Sequence, residues 1–165
     1  MDTLVVLVQM LLLNGIIEYC YNFGTITRVE DAEYQYEVRF GGISGAIDDS
    51  TLRYCYSIGG VEGAISEPGL IVGATNIWRG GVCDGCFAVN FSNYGVCTSS
   101  YTGTSRVITK GTTNPDDNEL TQWTQEQINI NLRESGETNE IFVKDTNNKN
   151  RGYPLLKWQV EHGIY

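Results

Sequence analysis

Five cysteines are the residues of this chain with the most distinctive chemistry: Cys20, Cys55, Cys83, Cys86 and Cys97. Cys83 and Cys86 form a Cys-x-x-Cys pair, which in a redox protein lies at a helix N-terminus in a βαβ unit. The surrounding sequence predicts neither element. A structural zinc site needs two more ligands, and no second Cys-x-x-Cys or His-x-x-x-His pair exists. We interpret Cys86 as a buried structural residue and Cys83 as the replacement of an apolar residue, with a Cys83–Cys97 disulfide as the alternative.

The acidic residues do not form a catalytic pair. Asp48-Asp49, Asp116-Asp117 and Glu30-Asp31 are adjacent in sequence. Adjacent side chains on an extended segment point to opposite sides, so these residues are not arranged as a glycosidase dyad, and we expect solvated turns. The segment 145–152 is rich in oxygen ligands but lacks the spacing and closing glutamate of an EF-hand loop, which also predicts a turn.

Nucleophilic and phosphate-binding motifs are missing as well. The one histidine, His162, has no partner motif such as Gly-x-Ser-x-Gly. The segment Gly59-Gly-Val-Glu-Gly63 lacks the Lys-Ser/Thr ending of a phosphate loop. The sequence therefore predicts no catalytic, cofactor-binding or metal-binding residue and no enzyme activity.

The net charge and composition of the chain limit the kinds of partner that it is expected to bind. The 165 residues carry a formal net charge of −9 and are 41% hydrophobic. This charge repels nucleic acid and anionic membrane surfaces, and it also favours solubility. The apolar stretch from Leu4 to Leu13 is too short to span a bilayer, and Asp2 does not suit a signal peptide.

A repeat organises the first two thirds of the chain. Gly15-Ile-Ile-Glu-Tyr-Cys-Tyr-Asn-Phe-Gly24, Ser50-Thr-Leu-Arg-Tyr-Cys-Tyr-Ser-Ile-Gly59 and Gly81-Val-Cys-Asp-Gly-Cys-Phe-Ala-Val-Asn90 align on Cys20, Cys55 and Cys86. Ile17, Leu52 and Cys83 then coincide, as do Tyr21, Tyr56 and Phe87, and Phe23, Ile58 and Val89. The apolar offsets do not share one parity with the cysteine, so burying them all requires a bend, a bulge or cover on both faces.

A glycine-bounded strand precedes two of these segments, as Gly41-Gly-Ile-Ser-Gly-Ala46 and Gly69-Leu-Ile-Val-Gly-Ala74. Glycine suits a corner where the backbone approaches closely or φ is positive. A unit this small cannot bury its apolar face alone, whereas stacked units bury a continuous column. We therefore expect Cys20, Cys55 and Cys86 to form one ladder, with rungs about 4.8 Å apart.

These motifs resemble the GLUG-motif repeats of bacterial surface and secreted proteins. Gly-Gly-Ile-x-Gly followed by Cys-Tyr-Asn-x-Gly-x-Ile carries the likeness over residues 15–103. The ending Asp145-Thr-Asn-Asn-Lys-Asn-Arg-Gly-Tyr-Pro-Leu-Leu-Lys-Trp-Gln159 is similar to the segment that closes such arrays. The resemblance implies an extracellular β-solenoid-like array with an adhesion or accessory role, and it transfers no catalytic residues.

The first repeat departs from this pattern. Its glycine-bounded strand is expected near Val6 to Met10, where the sequence reads Val5-Val-Leu-Val-Gln-Met-Leu-Leu. Two explanations stay open. Either an apolar strand has diverged from the pattern, or the segment is an out-of-frame reading of a Gly-Gly-Ile strand.

The C-terminal part changes in composition after the turn at residues 114–118. Arg106–Thr109 and Ile141–Val143 are predicted strands, and the capping box of Thr124 and Gln127 predicts a helix over Gln125–Glu134. Because the last coil of a stack exposes strand edges, we expect this part to be a cap packed by Tyr153, Leu156 and Trp158. An aromatic sugar-binding platform is the rival interpretation.

The predicted fold is thus mostly β: a β-solenoid-like stack of short-strand repeats over residues 1–113 and a capping segment with one short helix over 114–165. The expected function is that of a non-catalytic extracellular structural or adhesion module of a bacterial surface or secreted protein. The alternative is a carbohydrate-binding accessory module of a larger secreted hydrolase or peptidase. Expected partners are a surface glycan or an extracellular protein and further repeats upstream, with no nucleic acid, no membrane span and no cofactor.

Overall fold

The computed structural model describes residues 11–12, 14–27, 40–62, 69–75, 81–89, 97, 105–108, 126, 129 and 139–164. Within these residues the chain is mostly β-strand, one short helix is described over its whole length, and the strands do not close into a barrel. The chain divides into two compact units, Met1–Thr109 and Lys110–Tyr165.

Short strands make up the described part of the first unit. They are β1 (Leu11–Leu12), β2 (Ile16–Glu18), β3 (Tyr21–Asn22), β4 (Ile26–Thr27), β5 (Ser44–Asp48), β6 (Thr51–Arg53), β7 (Tyr56–Ser57), β8 (Val61–Glu62), β9 (Val72–Thr75), β10 (Val82–Asp84), β11 (Phe87–Val89) and β12 (Arg106–Ile108). The second unit contains β13 (Phe142–Val143), β14 (Leu155–Leu156) and the helix α1 (Lys157–His162).

Strands of the first unit pair in parallel, each with its counterpart in the next repeat. The sheet orders are β1-β5-β9, β10-β6-β2, β12-β11-β7-β3 and β4-β8. Leu52 pairs with both Ile17 and Cys83, and Tyr56 pairs with both Tyr21 and Phe87. The register derived from aligning the cysteines is therefore confirmed at these positions. The predicted strand Arg106–Thr109 is confirmed over Arg106–Ile108 as β12, and Thr109 lies outside the described residues.

A corner separates the two strands of each repeat. Tyr19, Tyr54 and Gly85 have φ values of 56°, 53° and 58°, in the left-handed region. This region disfavours residues with a Cβ by roughly 1–2 kcal/mol. The corner turns the chain just before Cys20, Cys55 and Cys86, which lets Cys55 and Cys86 share one buried cluster with Leu52 and Cys83. The expected burial of the positions three residues after the cysteines is only partly confirmed, because Ile58 is 5% exposed whereas Phe23 is 39% exposed.

The glycine-bounded strands also align with each other. Gly41 bridges to Gly69, and Ala46 of β5 pairs with Ala74 of β9. A methyl group on Gly42 would collide with the carbonyl oxygen of Leu70, so the close backbone approach expected of these glycines is confirmed. The segment Val6–Met10 lies outside the described residues, but β1 directly after it pairs with Ile47 and Asp48 in the same sheet.

The interior of the first unit is apolar and includes sulfur. Leu52, Cys55, Cys83, Cys86 and Ala88 are fully buried in one cluster, together with Ile43, Ile47, Leu70, Ile71 and Val72. Ile17, Cys20 and Cys97 pack against this cluster while remaining partly exposed. Ala88 belongs to this cluster, whereas Tyr56 is also fully buried but lies outside it.

The second unit has a different construction. β13 and β14 pair antiparallel, with Phe142 opposite Leu156. Phe142 and Tyr153 are fully buried. The predicted strand Ile141–Val143 is confirmed as β13. Of the predicted helix Gln125–Glu134, only Glu126 and Asn129 are described, and both are helical.

The sequence analysis did not anticipate α1. Leu156 at its N-cap offers no side-chain hydrogen bond, and no residue of the helix is buried. The capping and periodicity signals that predict helices are thus both missing. Only the C-terminal signal is present, because Gly163 ends the helix with φ of 66°.

Candidate functional site

Three cysteines and one serine form a column at the corners of successive repeats. The backbone N–H of Cys20 donates a hydrogen bond to Sγ of Cys55 over 3.4 Å, and the N–H of Cys55 donates to Sγ of Cys86 over 3.4 Å. The N–H of Cys86 donates to Oγ of Ser105 over 3.0 Å. We call these four residues the corner column. The predicted ladder of Cys20, Cys55 and Cys86 is confirmed.

Each side chain of the column also bonds to a backbone carbonyl. The Sγ–H of Cys20 donates to the carbonyl of Glu18 over 3.3 Å, and that of Cys55 donates to the carbonyl of Arg53 over 3.2 Å. Cys86 makes the equivalent bond to Asp84 over 3.4 Å. Because each sulfur repeats the same local geometry, we expect neighbouring sulfurs to be one strand spacing, ~4.8 Å, apart.

Ser105 is the member that the sequence analysis missed. Its Oγ–H donates to the carbonyl of Cys83 over 2.7 Å, so its hydroxyl serves as acceptor and donor as the thiols do. Ser105 follows Cys86 by 19 residues, whereas the earlier intervals are 31 and 35. The predicted strand that begins just after Ser105 could have indicated this position. The alignment did not include Ser105, because it was anchored on cysteine residues.

Burial separates the column into two parts. Cys55 and Cys86 are fully buried, whereas Cys20 is partly exposed. Burial raises the pKa of both buried thiols well above the usual value. The neighbouring Cys86 side chain, and then burial, raise the pKa of Cys83 strongly. In contrast, hydrogen bonding between the Cys20 and Cys55 side chains lowers the pKa of Cys20 to about 7.

None of the five cysteines forms a disulfide, so the alternative of a Cys83–Cys97 disulfide is wrong for this structure. Cys83 lies on β10 opposite the apolar Leu52, which confirms that it replaces an apolar residue. Cys86 follows at a corner between strands. Among the described residues, no group of three or more His, Cys, Asp or Glu side chains is placed to hold a metal ion.

The other titratable candidates do not converge in the described structure. Asp48 is buried at the end of β5, while its neighbour Asp49 is exposed with φ of 46°. His162 is exposed on α1, with Nδ1 2.7 Å from the carbonyl oxygen of Trp158. The pairs Asp116-Asp117 and Glu30-Asp31 lie outside the described residues.

The segment 145–152 is a turn, as predicted, and its carboxylate is engaged. Asp145 is buried and accepts hydrogen bonds from the backbone N–H groups of Lys149, Asn150 and Gly152 over 2.9, 2.6 and 3.0 Å. A carboxylate committed to three backbone donors stabilises the turn. This arrangement gives Asp145 a structural role.

Aromatic and charged side chains follow the repeats next to the corners. The rings of Tyr19 and Tyr54 stack with centroids 5.9 Å apart, and those of Tyr21 and Tyr56 stack at 5.3 Å. Arg53 forms an ion pair with Glu18, with Nη2 2.6 Å from Oε2, and lies 5.7 Å from the ring centroid of Tyr54. Side chains from adjacent repeats therefore also contact each other beside the corners.

The aromatic residues expected in the cap differ in exposure. Tyr153 and Leu156 are buried within the second unit, while Trp158 is 50% exposed on α1. Tyr153 is therefore not available to stack on a sugar, which contradicts its place in an aromatic platform. The capping role itself stays a prediction.

Comparison with protein-family models, curated proteins and solved structures found no match to this chain. Among the described residues, none of the helices has the length and apolar character needed to cross a membrane.

Proposed function

We propose that this chain is a non-catalytic structural module that belongs to a β-solenoid of the GLUG-motif type, in a bacterial surface or secreted protein. One observation carries the proposal. Cys20, Cys55 and Cys86 occupy equivalent positions in three successive repeats, and the amides of the first two each bond to the sulfur of the next cysteine. Such translation of one local geometry along a stack is the hallmark of solenoid repeats.

The use of polar groups supports a structural role. The thiols of the corner column and the carboxylate of Asp145 bind the backbone, and the Arg53–Glu18 pair links adjacent repeats. Side chains that would serve chemistry are thus engaged in holding the chain together. In this proposal the outer face near Tyr19 and Tyr54 meets an extracellular protein or glycan.

Carbohydrate binding is the second candidate, favoured by the aromatic residues on the surface. Tyr19 and Tyr54 are partly exposed and stack on each other, and Trp158 is half exposed. Exposed aromatic rings present apolar faces beside polar edges, which suits the alternating surfaces of a sugar. This candidate is an accessory module of a larger secreted enzyme.

Binding and turnover assays on the intact chain test the proposal. We expect saturable binding to an array of bacterial and host glycans or to immobilised extracellular matrix proteins. The Tyr19→Ser/Tyr54→Ser double variant should reduce that binding at least about tenfold, because a few aromatic anchors dominate most interfaces. The matched control, Tyr153→Phe, changes an aromatic residue of the second unit and should bind as the parent does.

Each outcome separates the candidates. Binding to proteins alone supports an adhesion module, and binding to glycans alone supports the carbohydrate-binding candidate. Turnover of polysaccharide or peptide substrates would refute a non-catalytic role. Absence of binding to either class would refute both the adhesion proposal and the carbohydrate-binding candidate.

A further inference from the structure

The thiols of the corner column differ in burial. Cys20 is partly exposed, whereas Cys55, Cys83 and Cys86 are each 0% exposed. A solute therefore meets the sulfur of Cys20 before any other sulfur of the column. This asymmetry suits a thiol that reacts with a small oxidant while its neighbours stay protected.

Cys20 and Cys55 are also in register. Glu18 pairs with Arg53 before them, and Tyr21 pairs with Tyr56 after them. The N–H of Tyr56 donates to the carbonyl of Cys20 over 3.0 Å, and the N–H of Cys20 donates to Sγ of Cys55 over 3.4 Å. The rung spacing of ~4.8 Å falls within the Cα separation of about 4.4–6.8 Å found in disulfides.

The electrostatic environment favours reaction at this end. The thiolate is the nucleophilic form of cysteine. The Cys55 side chain lowers the pKa of Cys20 to about 7, so Cys20 is substantially ionised near neutral pH. Burial keeps Cys55 protonated, which leaves it able to supply a proton to a leaving group.

We propose that Cys20 and Cys55 form a redox pair in which Cys20 reacts with a hydroperoxide and Cys55 closes an intramolecular disulfide. The Cys20 thiolate attacks the terminal peroxide oxygen, the O–O bond breaks, and the leaving alkoxide or hydroxide takes up a proton. The sulfur of Cys55 then attacks the Cys20 sulfenic acid, and the sulfenic hydroxyl leaves as water with the thiol proton. In total, two thiols and one hydroperoxide give one disulfide, one alcohol or water, and one further water.

This reaction adds a covalent tie between the first two described rungs. It closes a loop between positions 35 residues apart in sequence. The inference goes beyond the proposed function and does not depend on it, because it rests on the column alone. It also assigns a role to the one column thiol that burial does not protect.

Thiol counting and peptide mapping of the intact chain test the pair. The reduced protein is treated with one equivalent of hydrogen peroxide, quenched with an alkylating reagent, digested and analysed by mass spectrometry. We expect the loss of two of the five thiols and a peptide pair linked through Cys20 and Cys55. A Cys83–Cys86 or Cys97-containing link, a disulfide between chains, or retention of all thiols would each overturn the proposal.

Serine variants identify the role of each member. Ser105 already occupies the column with a hydroxyl that accepts the same backbone bond, so serine is the substitution that the site accommodates best. Cys20→Ser should abolish the loss of thiols. Cys55→Ser should stop disulfide formation and leave a Cys20 sulfenic acid that dimedone traps.

Cys97→Ser is the matched control, because Cys97 is also partly exposed and packs against the same apolar cluster. It should form the Cys20–Cys55 link at the parent rate. Equal oxidation of the Cys20→Ser variant would contradict the assignment. If a variant fails to fold by circular dichroism, the linkage map of the parent protein still decides the question.

Discussion

The backbone N–H of Cys86 bonds to Oγ of Ser105 over 3.0 Å, where the N–H groups of Cys20 and Cys55 bond to sulfur. A hydroxyl thus replaces a thiol without loss of the backbone partner. Ser105 also donates to the carbonyl of Cys83 over 2.7 Å. What the column requires at each corner is therefore a small side chain with one acceptor and one donor.

Ser105→Ala should destabilise the protein by about 1–3 kcal/mol, because it leaves the buried N–H of Cys86 and the carbonyl of Cys83 without these bonds. Ser105→Cys keeps both functions and should cost less than about 1 kcal/mol. Urea unfolding of the reduced protein, followed by far-ultraviolet circular dichroism, measures both. Equal stability of the alanine variant and the parent would show that the column does not need its fourth polar member.

Gly59 and Gly60 are adjacent but should respond in opposite ways to alanine. A methyl group on Gly59 would lie on the carbonyl oxygen of Gly24, whereas the nearest atom to one on Gly60 is Thr25 Cγ2 at 3.8 Å. We expect Gly59→Ala to cost roughly 3 kcal/mol or more, since it forces adjacent rungs apart. Gly60→Ala should be neutral, or more stable by about 0.4–1 kcal/mol through the unfolded state.

Thermal unfolding of both glycine variants under reducing conditions gives the comparison. The comparison tests how closely the backbones of adjacent rungs approach each other at Gly24 and Gly59. If both alanine variants unfold at the parent temperature, the close approach of these backbones does not exist in solution.

Alkaline pH should weaken the fold. The pKa values of Cys55, Cys83 and Cys86 are raised in the native state, so their contributions are complete below the ordinary thiol pKa of 9.0 and are lost as pH rises above it. Each thiol that stays protonated while its unfolded counterpart ionises removes about 1.4 kcal/mol per pH unit. Cys20 has the opposite sign: its lowered pKa adds stability between about pH 7 and the unfolded value.

The free energy of unfolding, measured in urea with a reductant from about pH 7 to pH 10, should therefore pass through a maximum near the ordinary thiol pKa. Cys83→Val removes one of the three buried thiols and should reduce the alkaline slope by about a third. An alkaline slope that is the same in this variant and in the parent would contradict the burial of Cys83.

Asp145→Ala should open the turn of the second unit. The substitution removes the acceptor of three backbone bonds, and hydrogen bonds to a charged group are worth roughly 1.5–3 kcal/mol each before any relaxation. Lys149 and Arg151 are exposed in this turn, so trypsin should cleave after them much faster in the variant. Asn147→Ala, at an exposed position of the same turn, should be cleaved at the parent rate.

Sequence alignment predicted the register of the repeats because side chains of similar size recur at the same offsets from Cys20, Cys55 and Cys86. It did not locate the corners, since tyrosine is not a residue that signals a left-handed conformation. Gly85, the third residue at that position, was the local indication. α1 was missed because Lys157–His162 carries no cap and no buried stripe.

The free thiols could not be derived from sequence either. An odd number of cysteines excludes a closed disulfide framework but leaves any one pair possible. The difference between Cys20 and Cys55 is a matter of burial and register, which depend on the folded stack. The candidate redox pair is therefore visible only in three dimensions.

The corners of the column are separated by 35, 31 and 19 residues, yet each occupies the same place on its rung. The described strands that pair between repeats are two to five residues long, so the column keeps its register although the intervals between its members differ in length. Closing a longer connection raises the entropy loss only slowly, by about 0.6 kcal/mol per doubling of length. Foreign peptides inserted between the rungs should thus leave the rungs unchanged. The chain is in this sense a scaffold for inserted peptides of different lengths.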